Sequence, residues 1–347
     1  MKLFSSVGDF FALDIGTTAI RVVQLSRSGN GWVLEKYASV PVDIRVANSD
    51  AADDQRKLSE LITTAIGQSG VRTKNVVLGA PSTRTFATVI ELADMSPAEL
   101  ASTIKYQAEQ YIPMSSDEAK VDWSVLGKSP NDPTKNEILL ASIANTFSEQ
   151  RLDLVESLGF EVVAIEPDSV ALCRAILPVG STGGRVIIDF GDMTTDLVVA
   201  LGDTPRLIRS IPTGLRSLVK AAAQNLNIQE QQAMQFVLKF GLLPDKLEGQ
   251  IVRSLEATMS QFVSEIVKSI KFFQTKYPDM PVAEILLSGY ATTVPGFDQY
   301  VSQKVGLTSK RATPWQYVRV PQGDQAALQD IAAQFAVAVG LAQKGDI

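Results

Sequence analysis

Histidine is absent from the 347 residues, and Cys173 is the only cysteine. Without histidine, Ser-His-Asp and Cys-His catalysis and every His-ligated metal site are excluded. Any catalysis therefore has to use carboxylates, hydroxyls, amines, guanidinium groups, the thiol or a metal bound through oxygen. A single cysteine cannot form an internal disulfide, and because Cys173 lies in an apolar run, residues 170–176, we expect it to be a buried structural thiol.

Long basic runs and long apolar runs are missing as well. The net charge is −6 and no Lys/Arg run occurs, so nucleic acid is not an expected partner. No stretch reaches the roughly 18 to 20 apolar residues that would span a bilayer, and residues 1–10 lack the apolar core and cleavage site of a signal peptide. With 45% hydrophobic and 20% charged residues, the chain is predicted to be a cytoplasmic globular protein of about two domains.

The sequence does contain one short pattern that occurs twice, 175 residues apart. Residues 14–25 (DIGTTAIRVVQL) align without a gap on residues 189–200 (DFGDMTTDLVVA). Each copy is predicted to form an apolar strand that ends in Asp, a turn with Gly and hydroxyl residues, and a second apolar strand. Such a hairpin presents backbone N–H groups and hydroxyls to an anion, with a carboxylate beside it. Two of them facing each other would hold a polyphosphate from both sides.

Each residue type in these turns has a physical role in a phosphate site. Gly16 and Gly191 let the backbone approach an oxygen ligand closely, and threonine hydroxyls donate hydrogen bonds to phosphate oxygens. Asp14 and Asp189 end buried strands, where a carboxylate is costly unless it is neutralised. Mg²⁺, which takes one or two carboxylates together with substrate phosphates, would neutralise it. The alternative is an ordinary hairpin turn, but two ungapped copies, each opening one predicted half of the molecule, favour the phosphate site.

Apolar periodicity places strands and helices in alternation along the chain, which predicts the α/β class. Strands are predicted over residues 10–15, 20–25, 32–37, 76–80, 85–92, 121–126, 137–144 and 285–289. Helices are predicted over residues 55–67, 96–112, 147–158, 168–177, 214–226, 229–240, 251–277 and 324–343. Ser96 and Glu99 form a capping box at one helix start. The helix over residues 251–277 carries a 3.6-residue apolar stripe that is typical of core packing.

The two hairpins resemble phosphate loops one and two of the actin-like ATPase superfamily. Residues 286–297 (LLSGYATTVPGF) resemble its adenosine loop, in which Gly289 would let the backbone lie against the purine and ribose. Residues 334–342 (QFAVAVGLA) resemble its interdomain hinge helix. These motifs occur in the superfamily's order and cover the chain from end to end. The resemblance implies an actin-like fold of two domains, a duplicated ribonuclease-H-like fold, that binds ATP and Mg²⁺.

The same resemblance implies roles for individual residues. Asp14 and Asp189 would hold Mg²⁺ through water. The residues implied to bind the nucleotide are Gly16, Thr17, Thr18, Arg21, Gly191, Asp192, Met193, Thr194, Thr195, Gly214, Gly289, Tyr290 and Ala291. Glu166 precedes Pro167 at the position where a Glu-Pro pair of DnaK-type chaperones positions the attacking water. Glu166 would either orient the nucleophile or be an ordinary carboxylate at the start of a helix, where the helix dipole favours it.

The segment after the first predicted sheet narrows the resemblance to one family. Residues 109–113 (EQYIP), 121–126 (VDWSVL) and 165–172 (IEPDSVAL) resemble the type IV pilus assembly family PilM, which shares an inserted subdomain with the cell-division family FtsA. FtsA chains generally finish with a membrane-binding amphipathic helix, whereas residues 341–347 are short and polar. The implied division is subdomain 1A over residues 1–81, 165–183 and 324–347, inserted subdomain 1C over 82–164, subdomain 2A over 184–213 and 281–323, and subdomain 2B over 214–280.

Membership of the PilM family would also imply partners. PilM binds the short cytoplasmic N-terminal peptide of PilN in a groove between its first domain and the inserted subdomain. It thereby links the PilN/PilO inner-membrane complex to the cytoplasmic motor ATPases of the pilus. The chain is therefore expected in the cytoplasm, peripheral to the inner membrane through its partner, and self-association is left open.

Three departures from the family pattern affect the nucleoside side of the expected site. Residues 233–237 (AMQFV) replace an Ala-Glu-x-x-Lys motif, Tyr290 stands where a second glycine is common, and residues 213–216 (TGLR) replace a Gly-Gly start. Intact phosphate loops beside a reduced nucleoside pocket favour nucleotide binding with weak or no hydrolysis. Two alternatives remain, an FtsA-like filament protein and a sugar or small-acid kinase. Such kinases share the D-x-G-T-T loop but usually lack the pattern at residues 109–113 and need an aspartate base.

Overall fold

The computed structural model describes residues 9–29, 31–115 and 117–345, with only the backbone described at Asp330. The expectations for residues 1–8 and for the last two residues of the C-terminal tail lie outside these ranges. The chain divides into two compact units, unit 1 (Met1–Ala175 and Pro314–Ile347) and unit 2 (Ile176–Thr313).

Unit 1 begins with a mixed run of strands and helices and is completed by the C-terminal segment. Its first elements are β1 (Phe10–Ile15), β2 (Ala19–Ser28), β3 (Gly31–Pro41), α1 (Ile44–Asn48), α2 (Ala52–Ser69), β4 (Asn75–Ala80), β5 (Thr85–Ala93), α3 (Pro97–Tyr111), β6 (Ala119–Lys128), β7 (Lys135–Ala144), α4 (Asn145–Ser157), β8 (Glu161–Pro167) and α5 (Asp168–Ile176).

Unit 2 follows α5, and the chain then returns to unit 1. The elements of unit 2 are β9 (Gly184–Phe190), β10 (Thr195–Leu201), β11 (Thr204–Ile211), α6 (Leu215–Leu226), α7 (Glu230–Phe240), α8 (Gln250–Lys276), β12 (Val282–Gly289), α9 (Phe297–Val305) and β13 (Thr308–Arg311), with 3₁₀ turns at Lys246–Gly249 and Tyr290–Thr292. The returning segment forms β14 (Val318–Arg319), α10 (Gln325–Ile331), a 3₁₀ turn at Ala332–Phe335 and α11 (Ala336–Ala342).

Each unit is built on a sheet of the same design. The sheet of unit 1 has the order β14-β3-β2-β1-β4-β8, and that of unit 2 has the order β11-β10-β9-β12-β13. In unit 1, β2 pairs antiparallel with β1 and β3, while β4 pairs parallel with β1 and β8. In unit 2, β10 pairs antiparallel with β9 and β11, while β12 pairs parallel with β9 and β13. The repeated sequence pattern therefore belongs to a repeated sheet, as the predicted fold class requires.

Helices cover both faces of the unit 1 sheet, which explains why its central strands are continuous apolar runs. On one face Phe11 and Leu13 pack with Leu58 and Ile62 of α2 and with Val155 of α4. On the other face α11 contacts β1, β2 and β4. Cys173 is buried, as expected for a structural thiol.

A three-stranded antiparallel sheet, β5-β7-β6, lies between β4 and β8 in the chain and has its own core with α3. The start of α3 is confirmed in detail. Ser96 accepts a hydrogen bond from the Glu99 backbone N–H, the Glu99 carboxylate accepts from the Ser96 N–H, and Pro97 is the first helical residue.

The stripe on α8 is confirmed as the core of unit 2. Its predicted apolar residues are all buried, namely Ile251, Leu255, Met259, Phe262, Ile266, Ile270, Phe273 and Tyr277. Phe262 lies 5.4 Å from Phe190 and 6.1 Å from Phe297, measured between ring centroids. The long helix thus packs against the end of β9 and the start of α9.

The predicted closing helix over residues 324–343 is wrong as a single element. It is divided by the 3₁₀ turn at Ala332–Phe335. The ring of Phe335 lies 6.1 Å from that of Tyr37 and 5.8 Å from that of Trp315, measured between ring centroids. This aromatic packing comes from segments distant in sequence, so the helical periodicity of the segment does not reveal the break. Strands β8 and β11 and helix α9 also lie where no element is predicted.

Candidate functional site

The two Asp-Gly hairpins have the same backbone geometry. The Gly16 N–H donates to the Ala19 carbonyl at 3.1 Å, and the Gly191 N–H donates to the Thr194 carbonyl at 2.9 Å. Asp14 pairs across the hairpin with Arg21, and Asp189 pairs across the second hairpin with Asp196. Because Gly16 corresponds to Gly191 and Arg21 to Asp196 in the gapless alignment, the sequence repeat is also a repeat of register.

In the first hairpin, Asp14 forms an ion pair with Arg21. Asp14 is 6% exposed, and its Oδ2 accepts a hydrogen bond from Arg21 Nη1 at 3.4 Å. Burial raises the pKa of Asp14 above its ordinary value, although the charge and hydrogen bond of Arg21 act in the opposite direction. Arg21 also donates to Gln334 Oε1 at 3.5 Å and lies 5.9 Å from the centroid of the Phe335 ring. The hairpin is therefore tied to the returning C-terminal segment.

The turn between β1 and β2 leaves a short polar surface. Gly16, Thr17 and Thr18 are partly exposed, while Ala19 and Ile20 behind them are buried. A side chain at position 16 would place its Cβ 3.0 Å from the Ala19 carbonyl oxygen and 3.3 Å from Arg21 Nη1. Glycine therefore keeps the turn tight where a phosphate would approach.

The second turn is supported by the segment that starts α6. Thr195 is fully buried, and its hydroxyl donates to the Thr213 carbonyl at 2.6 Å. A Cβ at Gly214 would lie 2.6 Å from the Asp192 carbonyl oxygen, so only glycine permits this contact. Asp192 is 4% exposed, whereas Met193 is 45% exposed. Of the residues expected to contact nucleotide here, Met193 is thus the most exposed, Gly191 and Thr194 are partly exposed, and the others are buried.

The predicted adenosine loop lies directly beside this second hairpin. Strand β12 pairs parallel with β9, and Gly289 is opposite Phe190. Gly289 has φ +62°, and a Cβ there would be 2.6 Å from the Phe190 carbonyl oxygen and 2.7 Å from Asp189 Oδ1. The residues that follow form the 3₁₀ turn, in which Ala291 is 3% exposed and Tyr290 packs partly buried against the core of unit 2.

Glu166 lies at the end of β8, where two cations hold its carboxylate. Arg174 donates to Glu166 Oε1 and Oε2 at 2.6 and 2.7 Å, and Lys344 Nζ is 3.2 Å from Oε1. Burial acts to raise the pKa of Glu166, but the hydrogen bonds and charges of these two partners outweigh it and lower the pKa below its ordinary value. Arg174 also donates to the Gly340 carbonyl at 2.7 Å. The cluster joins β8, α5 and the C-terminal segment, so its contacts stabilise the fold of unit 1.

The two hairpins contain the kinds of group that bind Mg²⁺ and phosphate. Each hairpin supplies a carboxylate at a strand end and a turn in which a Cβ on the glycine would come within 3.0 Å of a backbone oxygen. Nowhere in the described ranges do three or more His, Cys, Asp or Glu residues gather in a way that could hold a metal ion. Mg²⁺ bound through one or two carboxylates, waters and substrate phosphates needs no such cage.

Three charged residues that lie beside Glu166 and Asp192 in the structure were not predicted from the sequence. Arg174 and Lys344 neutralise Glu166, and Arg216 forms an ion pair with Asp192. The partners of Glu166 cannot be read from local spacing alone. For Arg216 a signal exists, because the gapless alignment puts Asp196 where the first hairpin has Arg21 and thus leaves the second hairpin without a cation of its own.

Among the described residues, no helix is both long and apolar enough to cross a membrane.

Residues 12–346 match the family model described as type IV pilus assembly protein PilM. The chain is similar to a solved structure entitled PilM-PilN type IV pilus biogenesis complex, with a TM-score of 0.80, 20% identity, and 96% of this chain and 97% of that chain covered. It is also similar to MreB5 of Spiroplasma citri bound to AMPPNP, with a TM-score of 0.53, 14% identity, and coverages of 96% and 95%. For the ethanolamine utilization protein EutJ from Carboxydothermus hydrogenoformans the TM-score is 0.52 and the identity 15%, with 96% of this chain and 89% of that chain covered. The predicted actin-like α/β fold is confirmed.

Proposed function

Because the chain belongs to the type IV pilus assembly protein PilM family, we propose that it is a nucleotide-binding scaffold that holds the N-terminal peptide of a PilN protein. In this role it would link the PilN/PilO inner-membrane complex to the cytoplasmic motor ATPases of the pilus. It would act in the cytoplasm, peripheral to the inner membrane through its partner.

The observation that carries the nucleotide part of the proposal is the repeated hairpin. Two turns with the same register, each with an Asp at the end of a buried strand, occur in two sheets of the same design. A structural relative, MreB5 of Spiroplasma citri, has been solved with AMPPNP bound. In our proposal Asp14 and Asp189 hold Mg²⁺ through water, and the turn residues after them hold the phosphates of ATP.

The PilN part of the proposal is supported by the relative solved as a PilM-PilN complex, which matches 96% of this chain. The peptide would occupy a groove between the first sheet of unit 1 and the β5-β7-β6 subdomain. This subdomain corresponds to the proposed subdomain 1C, residues 82–164, and the remaining subdomain boundaries given above are likewise proposals. Self-association is not needed for this role.

Binding, not turnover, is the proposed use of the nucleotide. Both oxygens of the Glu166 carboxylate accept hydrogen bonds from Arg174, and one of them also contacts Lys344, so this carboxylate is not set up to orient a water molecule. On the nucleoside side, the Glu and Lys of the family's second-domain helix are replaced within residues 233–237. Nucleotide would then bias the conformation in which peptide is bound, an effect limited by its difference in affinity for the two states.

A titration of the full-length chain tests this proposal. A labelled peptide of the cytoplasmic N-terminus of the cognate PilN is added with and without Mg-ATP, and a scrambled peptide of the same composition is the control. We expect saturable binding of the PilN peptide alone, with an affinity that changes when Mg-ATP is present. Absence of binding under both conditions would contradict the assignment of the partner, and an affinity that does not respond to Mg-ATP would contradict the role of the nucleotide as a switch.

A further inference from the structure

The two phosphate hairpins differ in the source of their positive charge. In the first hairpin Arg21 stands opposite Asp14 and contacts it at 3.4 Å. In the second hairpin the equivalent position opposite Asp189 is Asp196, a second carboxylate. A loop that binds phosphate beside several carboxylates needs a cation close by, because like charges oppose anion binding. In the second hairpin no cation can come from the hairpin itself, since residues 189–200 contain no Lys or Arg.

Arg216, in the first turn of α6, brings a cation to this loop from outside the hairpin. Its Nε lies 3.2 Å from Asp192 Oδ2, and its own backbone N–H donates to the Asp192 carbonyl at 2.9 Å. The Asp192 side chain is 3% exposed, whereas that of Arg216 is 42% exposed. The carboxylate is therefore buried, whereas the Arg216 side chain that pairs with it is partly exposed beside the loop.

The backbone around Arg216 fixes this position. The Leu215 N–H donates to the Gly191 carbonyl at 3.0 Å, so two successive carbonyls of the loop accept from the first turn of α6. Leu215 is buried and Gly214 contacts the loop backbone too closely to carry a Cβ. Because a guanidinium has five N–H donors in a planar fork, a bond from Nε to Asp192 leaves the two terminal nitrogens in a geometry that suits phosphate oxygens.

We propose that Arg216 is a phosphate-binding residue of the second loop, positioned by Asp192, and that it supplies there the charge that Arg21 supplies in the first loop. The inference rests on the proposed nucleotide function and adds a specific residue to it. Asp192 acts as a positioning residue because it orients Arg216.

A simpler role for Arg216 would be to neutralise the buried carboxylate of Asp192. The double variant Asp192→Asn/Arg216→Ala separates the two roles, because it removes the carboxylate together with the cation and leaves no buried unpaired charge. If neutralisation were the whole role, the double variant would bind Mg-ATP like the parent. If Arg216 binds phosphate, the double variant remains weak.

The experiment measures Mg-ATP and adenosine binding by calorimetric titration at several salt concentrations. The control variant is Arg209→Ala, since Arg209 is also 42% exposed, lies in the same unit, and pairs with Glu265 at 3.3 Å. Arg216→Ala and the double variant are expected to bind Mg-ATP on the order of 10- to 100-fold more weakly, the value of a charge-assisted hydrogen bond. Adenosine affinity should not change, and the salt dependence of Mg-ATP binding should become shallower.

Arg216→Lys, which keeps the charge without the planar fork, should lie between Arg216→Ala and the parent. If the double variant binds Mg-ATP as tightly as Arg209→Ala, the inference is overturned while the proposed function stands. If the parent itself binds no Mg-ATP, the proposed nucleotide function fails and the inference fails with it. Far-ultraviolet circular dichroism of each variant confirms that the comparison is made on folded protein.

Discussion

Truncation of Phe262 is the sharpest test of how unit 2 is held together. Phe262 is fully buried on α8, and its ring contacts those of Phe190 and Phe297 at centroid distances of 5.4 and 6.1 Å. Phe190 follows Asp189 of the second hairpin directly. Phe272, ten residues later on the same helix, is 63% exposed and offers a matched control of the same residue type.

The magnitude follows from burial and from the two aromatic contacts. Replacing a buried Phe by Ala typically costs about 3 to 5 kcal/mol, from lost transfer free energy and from the cavity. Each aromatic pair adds roughly 0.5 to 1.5 kcal/mol beyond the area that it buries, so the upper part of that range is expected here. Phe272→Ala should change the free energy of unfolding by no more than about 0.5 kcal/mol. For a urea slope of about 2 to 3 kcal/mol per molar, Phe262→Ala lowers the midpoint by roughly 1.3 to 2.5 M.

The assay has to report on unit 2. All three tryptophans, Trp32, Trp123 and Trp315, lie in unit 1, so intrinsic fluorescence is unsuitable. Urea unfolding followed by far-ultraviolet circular dichroism, together with amide hydrogen exchange along α8, measures the relevant free energy. Equal effects of Phe262→Ala and Phe272→Ala, or a loss below about 1 kcal/mol for Phe262→Ala, would refute the assignment of the α8 stripe as the core.

Two further predictions concern charge and backbone geometry. The folded pKa of Glu166 lies below its ordinary value of 4.5, so its stabilising contribution is complete above that pH and is lost as the pH falls through the folded pKa. Glu166→Gln should therefore lower the free energy of unfolding by ~3 to 5 kcal/mol at neutral pH, and a gap to the parent that fails to narrow below pH 4.5 would contradict this account. Gly306→Ala should lose ~1 to 2 kcal/mol through positive φ. Gly289→Ala should lose more, because its Cβ would also lie 2.6 Å from the Phe190 carbonyl oxygen and 2.7 Å from Asp189 Oδ1. Calorimetric titration should therefore show weaker Mg-ATP binding for Gly289→Ala alone, and equal affinities would argue against the role given to that contact.

The parts of the fold that were predicted from sequence are those encoded by local pattern. The gapless repeat implies matching turns, and the structure has them in the same register, from Gly16 to Ala19 and from Gly191 to Thr194. The apolar stripe of α8 and the capping box at Ser96 are equally local signals, since each depends on residues three or four positions apart.

The parts that escaped prediction depend on contacts between distant segments. The break before α11 follows from packing of Phe335 on Tyr37 and Trp315. The environment of Glu166 depends on Lys344, which is 178 positions away. Arg216 and Asp192 are 24 positions apart and meet because the loop and the first turn of α6 share backbone hydrogen bonds. Charge partners of this kind are set by tertiary structure, so a candidate site read from motifs contains the turns but not their counter-ions.

The central proposal, that the aspartates of the two hairpins take part in binding Mg-nucleotide, is tested most directly by calorimetric titration of the full-length chain with Mg-ATP. The variants are Asp14→Ala and Asp189→Ala, and the control is Asp203→Ala, an exposed aspartate of unit 2. We expect each hairpin variant to bind at least about tenfold more weakly than the parent, with an unchanged circular dichroism spectrum, and the control to bind like the parent. Parental affinity in both hairpin variants would contradict the claim.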